Sequence, residues 1–349
     1  MLDLSQHVIF MRRCFSLASM GLEKVAPNPM VGCIIVKNDK IIAEGYHRLY
    51  GGVHAEIDAL ANGADQDLIK GSTLYVNLEP CNHFGKTPPC TNALIKAGVS
   101  RVVISNKDPN PMVAGRGIHF LRTNGVQVVE DILADEGAEL NRRFFTFHQK
   151  KRPYVLLKWA QSSDGFISPL NKKQTSPHWI SNEISRNLVH KWRGEEQSIL
   201  VGRNTVLMDD PALTCRIAGG KNPIRIILDS KLKLSTAHKV FKEPGETVII
   251  NTMKDAVQGR LRYVKIRSST AKYVLSKLYE LNILSVLVEG GAETLQQFIN
   301  ENLWDECRIF TGSELMRQGV ASPTFKQQTS ESIEFGSDLL QVFRNTTSA

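Results

Sequence analysis

No apolar run in this sequence reaches the roughly 18 residues that a membrane helix needs. The N-terminus, Met1 to Phe10, carries Asp3 and His7 among its apolar residues and lacks the basic, apolar, small-residue order of a signal peptide. Although the net charge is +8, there is no Lys/Arg block of the kind that marks a nucleic-acid arm. No internal repeat and no low-complexity segment is visible. Cysteine is scarce: Cys14, Cys33, Cys81, Cys90, Cys215 and Cys307 are too unevenly spaced for a disulfide framework. These absences lead us to expect a cytoplasmic protein with no membrane and no nucleic-acid partner. In a reducing compartment the remaining jobs for cysteine are core filling, metal binding and catalysis. Cys14, Cys33 and Cys307 sit in apolar patterns and are assigned to the core. Cys81 and Cys90 sit among Pro, His, Gly and Thr and need another explanation.

What is present fits a soluble globular chain. Hydrophobic residues make up 42% of it, an ordinary share. A length of 349 residues suggests two domains, at roughly 100–200 residues each. The spread-out positive charge suits either nucleic acid or small phosphorylated ligands.

Residues 1–149 read as alternating helices and strands. An amphipathic helix fits Gln6 to Met20. Val31 to Lys37, the turn Asn38-Asp39, and Ile41 to Tyr46 read as a β-hairpin. A helix starts near His54, a strand covers Thr73 to Leu78, and a helix follows Pro88-Pro89, where proline suits the first turn. Strand Arg101 to Ser105, helix Gly117 to Thr123, strand Val126 to Val129 and a charged helix after Asp131 complete the unit. Strands separated by helices imply a layered α/β domain whose sheet is largely parallel beyond the hairpin. Charge and proline at Gln149 to Pro153 mark the boundary. A second α/β unit, 150–349, then reads with strands at Tyr154 to Ala160, Ser198 to Val201, Ile224 to Leu228, Thr247 to Ile250 and Leu284 to Val288. Its helices read at Asn182 to Arg193, Thr270 to Leu281 and Glu293 to Asn300.

The strongest chemical signal is H-A-E at His54 to Glu56, followed by E-P-C at Glu79 to Cys81 and P-P-C at Pro88 to Cys90. A catalytic zinc takes three protein ligands and leaves one position for water. His54, Cys81 and Cys90 supply the three. Glu56 lies two residues from a ligand and can reach the metal's water without binding the metal. The ion lowers that water's pKa to about 7, and Glu56 can carry the proton to a ring nitrogen and on to departing ammonia. Nucleobase deaminases use this set, written H-x-E and P-C-x-x-C. Here the second cysteine is not three residues on: N-H-F-G-K-T-P-P separates Cys81 from Cys90. Cys90 at a helix start is favoured as a thiolate. His83, at C-x-H spacing from Cys81, is the competing ligand. Cys90 is preferred because two thiolates and one imidazole match the deaminase pattern, and His83 is assigned to face the substrate.

With these motifs the chain resembles the bifunctional riboflavin-biosynthesis deaminase–reductases, the RibD/RibG family. The likeness runs over nearly the whole length. In the first half it is carried by A-P-N-P-M-V-G (Ala26 to Gly32), G-Y-H (Gly45 to His47), H-A-E, the extended E-P-C-N-H-F-G-K-T-P-P-C (Glu79 to Cys90) and D-P-N-P-M-V-A-G-R-G (Asp108 to Gly117). In the second half it is carried by K-W-A-Q-S-S-D-G (Lys158 to Gly165), W-I-S (Trp179 to Ser181), G-R-N-T-V-L-M-D-D-P-A-L-T-C-R (Gly202 to Arg216), R-I-I-L-D-S (Arg225 to Ser230) and V-E-G-G-A-E-T-L (Val288 to Leu295). The resemblance implies a cytidine-deaminase-like three-layer domain followed by a dihydrofolate-reductase-like α/β domain. It implies a diaminopyrimidinone carrying a ribosylamino 5′-phosphate as substrate, one Zn2+ per chain, NADPH, and a homo-oligomer.

By the same resemblance Asn28, His47, His83, Lys86, Asp108 and Asn110 line the deaminase pocket. Arg193, Leu213, Arg216 and Glu289 hold the sugar phosphate of the second domain. Ala160, Trp179, Thr205, Asp209, Ser230, Gly290 and Gly291 hold NADPH. Bare glycines before a helix also make an anion site in their own right. This chain departs from the family at Phe84, where a second His is usual, at Ala160, often glycine, and at Pro177, often serine. Preference for NADPH over NADH is expected from Ser230, Lys231 and Lys233 at the end of the strand Ile224 to Leu228. Asp229 is the awkward neighbour, since a carboxylate there can instead receive a ribose 2′-OH.

Two rival readings make different demands. A nucleic-acid (tRNA) deaminase with an accessory domain calls for the short C-x-x-C and a basic, aromatic-rich tail, and neither is present. A non-catalytic zinc-stabilised scaffold prefers four protein ligands and has no use for Glu56.

Overall fold

The computed structural model describes residues 4–63, 66–83, 88–111, 113–170 and 178–348. The chain divides into two compact units, Met1–Gln149 and Lys150–Ala349. Among the described residues no helix is long and apolar enough to cross a membrane.

The first unit runs α1 (Leu4–Ser19), β1 (Gly32–Lys37), β2 (Lys40–Tyr46), α2 (Ala55–Asn62), α3 (Gln66–Ile69), β3 (Thr73–Leu78), α4 (Cys90–Lys96), β4 (Arg101–Asn106), α5 (Arg116–Thr123), β5 (Gln127–Val129), α6 (Ala134–Leu140) and α7 (Arg142–Lys150). Its five-stranded sheet has the order β2-β1-β3-β4-β5. The β1–β2 and β1–β3 pairs are antiparallel, and β3, β4 and β5 run parallel. The hairpin turns at Asn38 and Asp39, both with positive φ, the pair of left-handed residues that matches a strand's twist.

The central strands are apolar on both faces because both are covered. Cys33, Ile35, Leu74, Val76, Val102 and Ile104 face Ala55 and Ala59 of α2, Leu94 of α4, and Ile118 and Leu121 of α5. The alternate residues Ile34, Val36, Tyr75 and Val103 face Phe10, Met11, Cys14 and Leu17 of α1. Three layers result, and Cys14 and Cys33 are core residues. The α2 helix lies directly on β2: a Cβ on Gly45 would come within 2.2 Å of the Ala59 nitrogen. That close approach fixes the start of α2, where His54 and Glu56 sit. The charged segment after Asp131 forms two helices, not one, because Asn141 ends α6.

The second unit runs β6 (Tyr154–Gln161), β7 (Phe166–Ser168), α8 (Glu183–Glu195), β8 (Ser198–Gly202), α9 (Arg203–Asp209), β9 (Ile224–Leu228), α10 (Lys239–Lys242), β10 (Thr247–Asn251), β11 (Ala256–Gln258), β12 (Leu261–Lys265), α11 (Ala271–Glu280), β13 (Ser285–Gly290), α12 (Ala292–Asn300), β14 (Glu306–Thr311), β15 (Val320–Ala321), β16 (Glu331–Phe335) and β17 (Asp338–Arg344). Its ten-stranded sheet has the order β11-β12-β10-β9-β8-β13-β6-β14-β17-β16. The seven strands from β12 to β14 run parallel. One face packs on Val274, Leu275 and Leu278 of α11 and on Leu295 and Phe298 of α12. The other packs on Val189 and Trp192 of α8, Val206 of α9 and Val240 of α10.

Sequence periodicity assigns no element after Asn300, yet β14 to β17 lie there. In β14 the charged residues are held by partners from elsewhere. Glu306 accepts from Tyr154 Oη at 2.8 Å and from Arg308 Nε at 2.6 Å, and Arg308 lies over the Trp192 ring at 4.4 Å. Charge that looks solvent-facing in the sequence is thus neutralised inside the sheet.

The topology also makes the second site. The chain leaves β6 for β8, and only later inserts β13 between them. A parallel sheet opens a crevice at the carboxyl ends of strands where the winding order reverses.

Candidate active sites

In the first unit, β3 ends at Leu78 and delivers Cys81. Pro88-Pro89 brings Cys90 to the first position of α4, and His54 caps α2. The ligand atoms of His54, Cys81 and Cys90 all lie within 4.8 Å of one another. His54 Nδ1 is 3.2 Å from Cys90 Sγ and 3.5 Å from Cys81 Sγ. Tetrahedral zinc, with bonds of about 2.0–2.3 Å, places an imidazole nitrogen and a thiolate about 3.6 Å apart. The donor set and its spacing therefore fit zinc. Among the described residues His83 stays outside the cluster and is exposed.

The electrostatics suit a metal. Hydrogen bonds from the Cys90 thiol and from His54 hold Cys81 down to about 4, while the same contact and burial push Cys90 up. Glu56, only 4% exposed, is pushed up to about 7, first by burial and then by the charge on Cys81. A carboxyl tuned near neutrality is what a proton carrier needs. A cation in the cluster would favour its ionised form.

Around this centre His47 is buried and its pKa is lowered, chiefly by burial. Its Nδ1 donates to the Val53 carbonyl at 2.8 Å, so Nε2 accepts from Asn28 Nδ2 at 3.0 Å. Both ring nitrogens are engaged within the protein, and the Asn28 carbonyl is the group this leaves for a ligand. Burial pushes Asp108 up to about 6, against a hydrogen bond from the Asn110 amide at 2.8 Å. The charges on Glu79 and Cys81 add to that rise. Lys86 and Phe84 lie outside the described residues.

In the second unit a cavity of about 1050 Å³ opens at the carboxyl ends of β6, β8, β9 and β13. That is the upper end of the roughly 300–1,000 Å³ of small-molecule pockets. Ala160, Trp179, Arg193, Thr205, Asp209, Leu213, Arg216, Ser230, Glu289 and Gly291, which the family resemblance assigns to NADPH and the sugar phosphate, all line it. Gly290 does not. It is buried between strands, where a Cβ would meet Val201 Cγ1 at 2.8 Å and Thr205 Oγ1 at 2.9 Å. Pro177 lies outside the described residues.

The cavity is basic. Lys158, Arg186, Arg193, Arg203, Arg216, Lys231 and Lys233 line it against Asp209, Glu289 and Glu293. Arg193 is not a free fork: Nε and Nη2 donate to Glu289 at 2.8 and 2.6 Å, and Nη1 donates to the Thr214 carbonyl at 3.2 Å. Burial works to raise Glu289, but Arg193 and then Lys158 outweigh it and hold the carboxylate ionised. Burial lowers Lys158, with Glu289 opposing. The sequence signal for Lys158 is a lone charge inside the apolar run Y-V-L-L-K-W-A-Q. Asp229 is 2% exposed and turned inward, where Oδ2 accepts from the Leu234 amide at 2.9 Å. It does not line the cavity, while Ser230, Lys231 and Lys233 do.

Comparisons with known proteins cover both units. Residues 153–342 match the family model described as the RibD C-terminal domain, and residues 4–106 match the cytidine and deoxycytidylate deaminase zinc-binding region. The riboflavin biosynthesis protein RibD of Aquifex aeolicus is 40% identical over 319 residues, 89% of this chain and 88% of that protein. The crystal structure of a diaminohydroxyphosphoribosylaminopyrimidine deaminase/5-amino-6-(5-phosphoribosylamino)uracil reductase from Thermotoga maritima is 36% identical, with a TM-score of 0.88 over 98% of this chain and 99% of that one. Acinetobacter baumannii RibD is 32% identical, with a TM-score of 0.90 over 99% of this chain and 100% of that one.

Proposed function

This chain belongs to the RibD family, and from that premise we propose how its two units divide two reactions of riboflavin biosynthesis. It is a bifunctional deaminase and reductase. The first unit removes an exocyclic amine from the diaminopyrimidine phosphate, and the second reduces the ribosyl side chain of the deaminated product to ribityl. The observation that carries the reading is the His54–Cys81–Cys90 cluster with a buried carboxyl, Glu56, two residues from His54.

His54, Cys81 and Cys90 hold one zinc ion per chain, which when bound supplies the Lewis acidity that activates water at neutral pH. Glu56 takes the proton released as water adds to the ring carbon. It passes that proton to the ring nitrogen, then takes the proton of the added hydroxyl and delivers it to the amine, so that the C–N bond breaks, ammonia leaves and the ring carbonyl forms. Asn28, oriented by His47, and the Asp108–Asn110 turn hold the substrate against the cluster.

In the second unit NADPH, when bound, supplies the hydride that reaches C1′. Ser230, Lys231 and Lys233 take its 2′-phosphate. Thr205, Gly291 and the start of α12 take its pyrophosphate, since a helix N-terminus leaves backbone N–H groups without intrahelical partners. Reducing C1′ of the opened sugar also consumes a proton. Lys158, whose pKa is lowered by burial, and Glu289, locked to Arg193, are the titratable groups placed to handle that proton. Arg216, which lines the cavity, takes the sugar phosphate, and Arg193 fixes Glu289.

The test is mass spectrometry of the diaminopyrimidinone phosphate incubated with zinc-loaded protein, without and then with NADPH. The expected products are the deaminated uracil alone, then its ribityl form. An unchanged substrate in the first incubation overturns the deaminase, and an unreduced uracil in the second overturns the reductase.

A further inference from the structure

Glu79 is the buried acid of the first unit that the reaction does not use. It is 4% exposed and lies two residues before Cys81. Its carboxylate accepts four backbone N–H groups: Oε2 from Asp108 at 3.2 Å and Gly115 at 2.9 Å, Oε1 from Gly117 at 2.9 Å and Ile118 at 3.2 Å. These donors come from both ends of one stretch of chain, the substrate-facing turn at Asp108 and the first turn of α5. Helix N-termini leave such N–H groups unpaired, and a carboxylate there is favoured by the helix dipole.

A second feature presses the same two segments together. A Cβ on Gly117 would lie 2.1 Å from the Pro80 carbonyl oxygen, so only glycine lets α5 sit against the Glu79-Pro80 backbone. The turn itself is closed locally, with Asp108 Oδ1 accepting from Asn110 N and the Asn110 carbonyl accepting from Val113 N and Ala114 N. It is therefore a compact turn, and besides the β3–β4 ladder and the Glu79 amide bond to the Asn106 carbonyl at 2.9 Å, the side-chain tie from the end of β3 to the Asp108 amide runs through Glu79.

We infer that Glu79 is a positioning residue for deamination: its carboxylate sets the Asp108–Asn110 turn in register with Cys81, so that one side chain fixes the distance between substrate-holding groups and the metal. This rests on the deaminase reading above. Glutamine keeps the shape of glutamate but offers one acceptor oxygen and an NH2. Whichever way the amide turns, two of the four N–H groups then face a donor.

The test compares zinc-loaded Glu79→Gln with the unmodified protein. Hydrogen exchange should show lost protection at Asp108, Gly115, Gly117 and Ile118, with zinc content and ribosyl reduction unchanged. Deaminase kcat/KM should fall by about tenfold to a hundredfold, the scale of a misplaced substrate contact. In an Asp108→Ala/Asn110→Ala background the same substitution should cost no more than about twofold, since the groups it positions are gone. Full additivity of the two losses, or unchanged kcat/KM in Glu79→Gln alone, overturns the inference. If Glu79→Gln loses zinc or unfolds, Gly117→Ala decides: it displaces the same segment with the carboxylate intact and should show the same non-additive loss. Failure of the unmodified protein to deaminate counts against the deaminase reading alone, and hydrogen exchange still reports on the clamp.

Discussion

The two units build their sites in opposite ways. The first concentrates chemistry. Its proposed ligands and proton carrier fall between His54 and Cys90, at the ends of α2, β3 and α4, and three donor atoms approach within 4.8 Å. The second disperses it. Its cavity draws on residues from Lys158 to Val320, from four strand ends and the helices that follow them. A small hard-to-satisfy ion demands few ligands at fixed distance, so short motifs can encode it. A long phosphorylated cofactor and a sugar phosphate need a wide basic crevice, which here the carboxyl ends of several adjacent strands line together.

If the sites are independent in this way, perturbing one leaves the other intact. Removing metal with a chelator is the harshest perturbation. Deamination should be lost, while reduction of the already deaminated substrate stays within about twofold, the additivity expected of sites that share no residues. A parallel loss of reduction, followed by its own assay with NADPH, would break the comparison.

Glu56→Gln is narrower. It keeps the shape and the zinc but cannot shuttle a proton, so deaminase kcat should drop by about 10²–10⁴-fold. Metal analysis and the reductase rate should match the unmodified protein. A deaminase within a few-fold of normal would show that another group carries the proton.

The smallest effect belongs to the second unit. One or two charged hydrogen bonds to a 2′-phosphate, at about 1.5–3 kcal/mol each, give NADPH at least a tenfold advantage over NADH. The Lys231→Ala/Lys233→Ala variant should lose most of that advantage by weakening NADPH alone, with NADH kinetics and deamination unmoved. Equal kcat/KM for the two cofactors in the unmodified protein would refute the placing of the 2′-phosphate at this strand end.

Much of this was legible in the residues. The hairpin around Asn38-Asp39 and the strands Thr73–Leu78 and Ile224–Leu228 follow from turn chemistry and apolar runs. The cluster of His54, Cys81 and Cys90 follows from ligand chemistry and order. Other features were not legible, for physical reasons. The strands after Asn300 carry charges whose partners, Tyr154 and Trp192, lie far away in sequence. Gly290 and Gly291 are alike in the chain, yet one is packed against Thr205 and the other lines the cavity. Arg193 and Arg216 look equally suited to phosphate until Glu289 occupies one of them.

The sequence by itself determined the kinds of group available, the order in which they meet the solvent or the core, and the local turns that present them. Those depend on near neighbours and on side-chain chemistry, which the chain carries with it. The motif H-A-E already marks Glu56 as the proposed proton carrier, whereas only the tertiary structure shows that Glu79 receives the backbone of a distant loop. Glu56 and Glu79 are both buried acids two residues from a proposed metal ligand. One lies beside the cysteines and is pushed toward neutrality, while the other receives four backbone amides from a segment some thirty to forty residues further along the chain. The role of a buried charge is set by what surrounds it in space, and that is the part a linear chain does not contain.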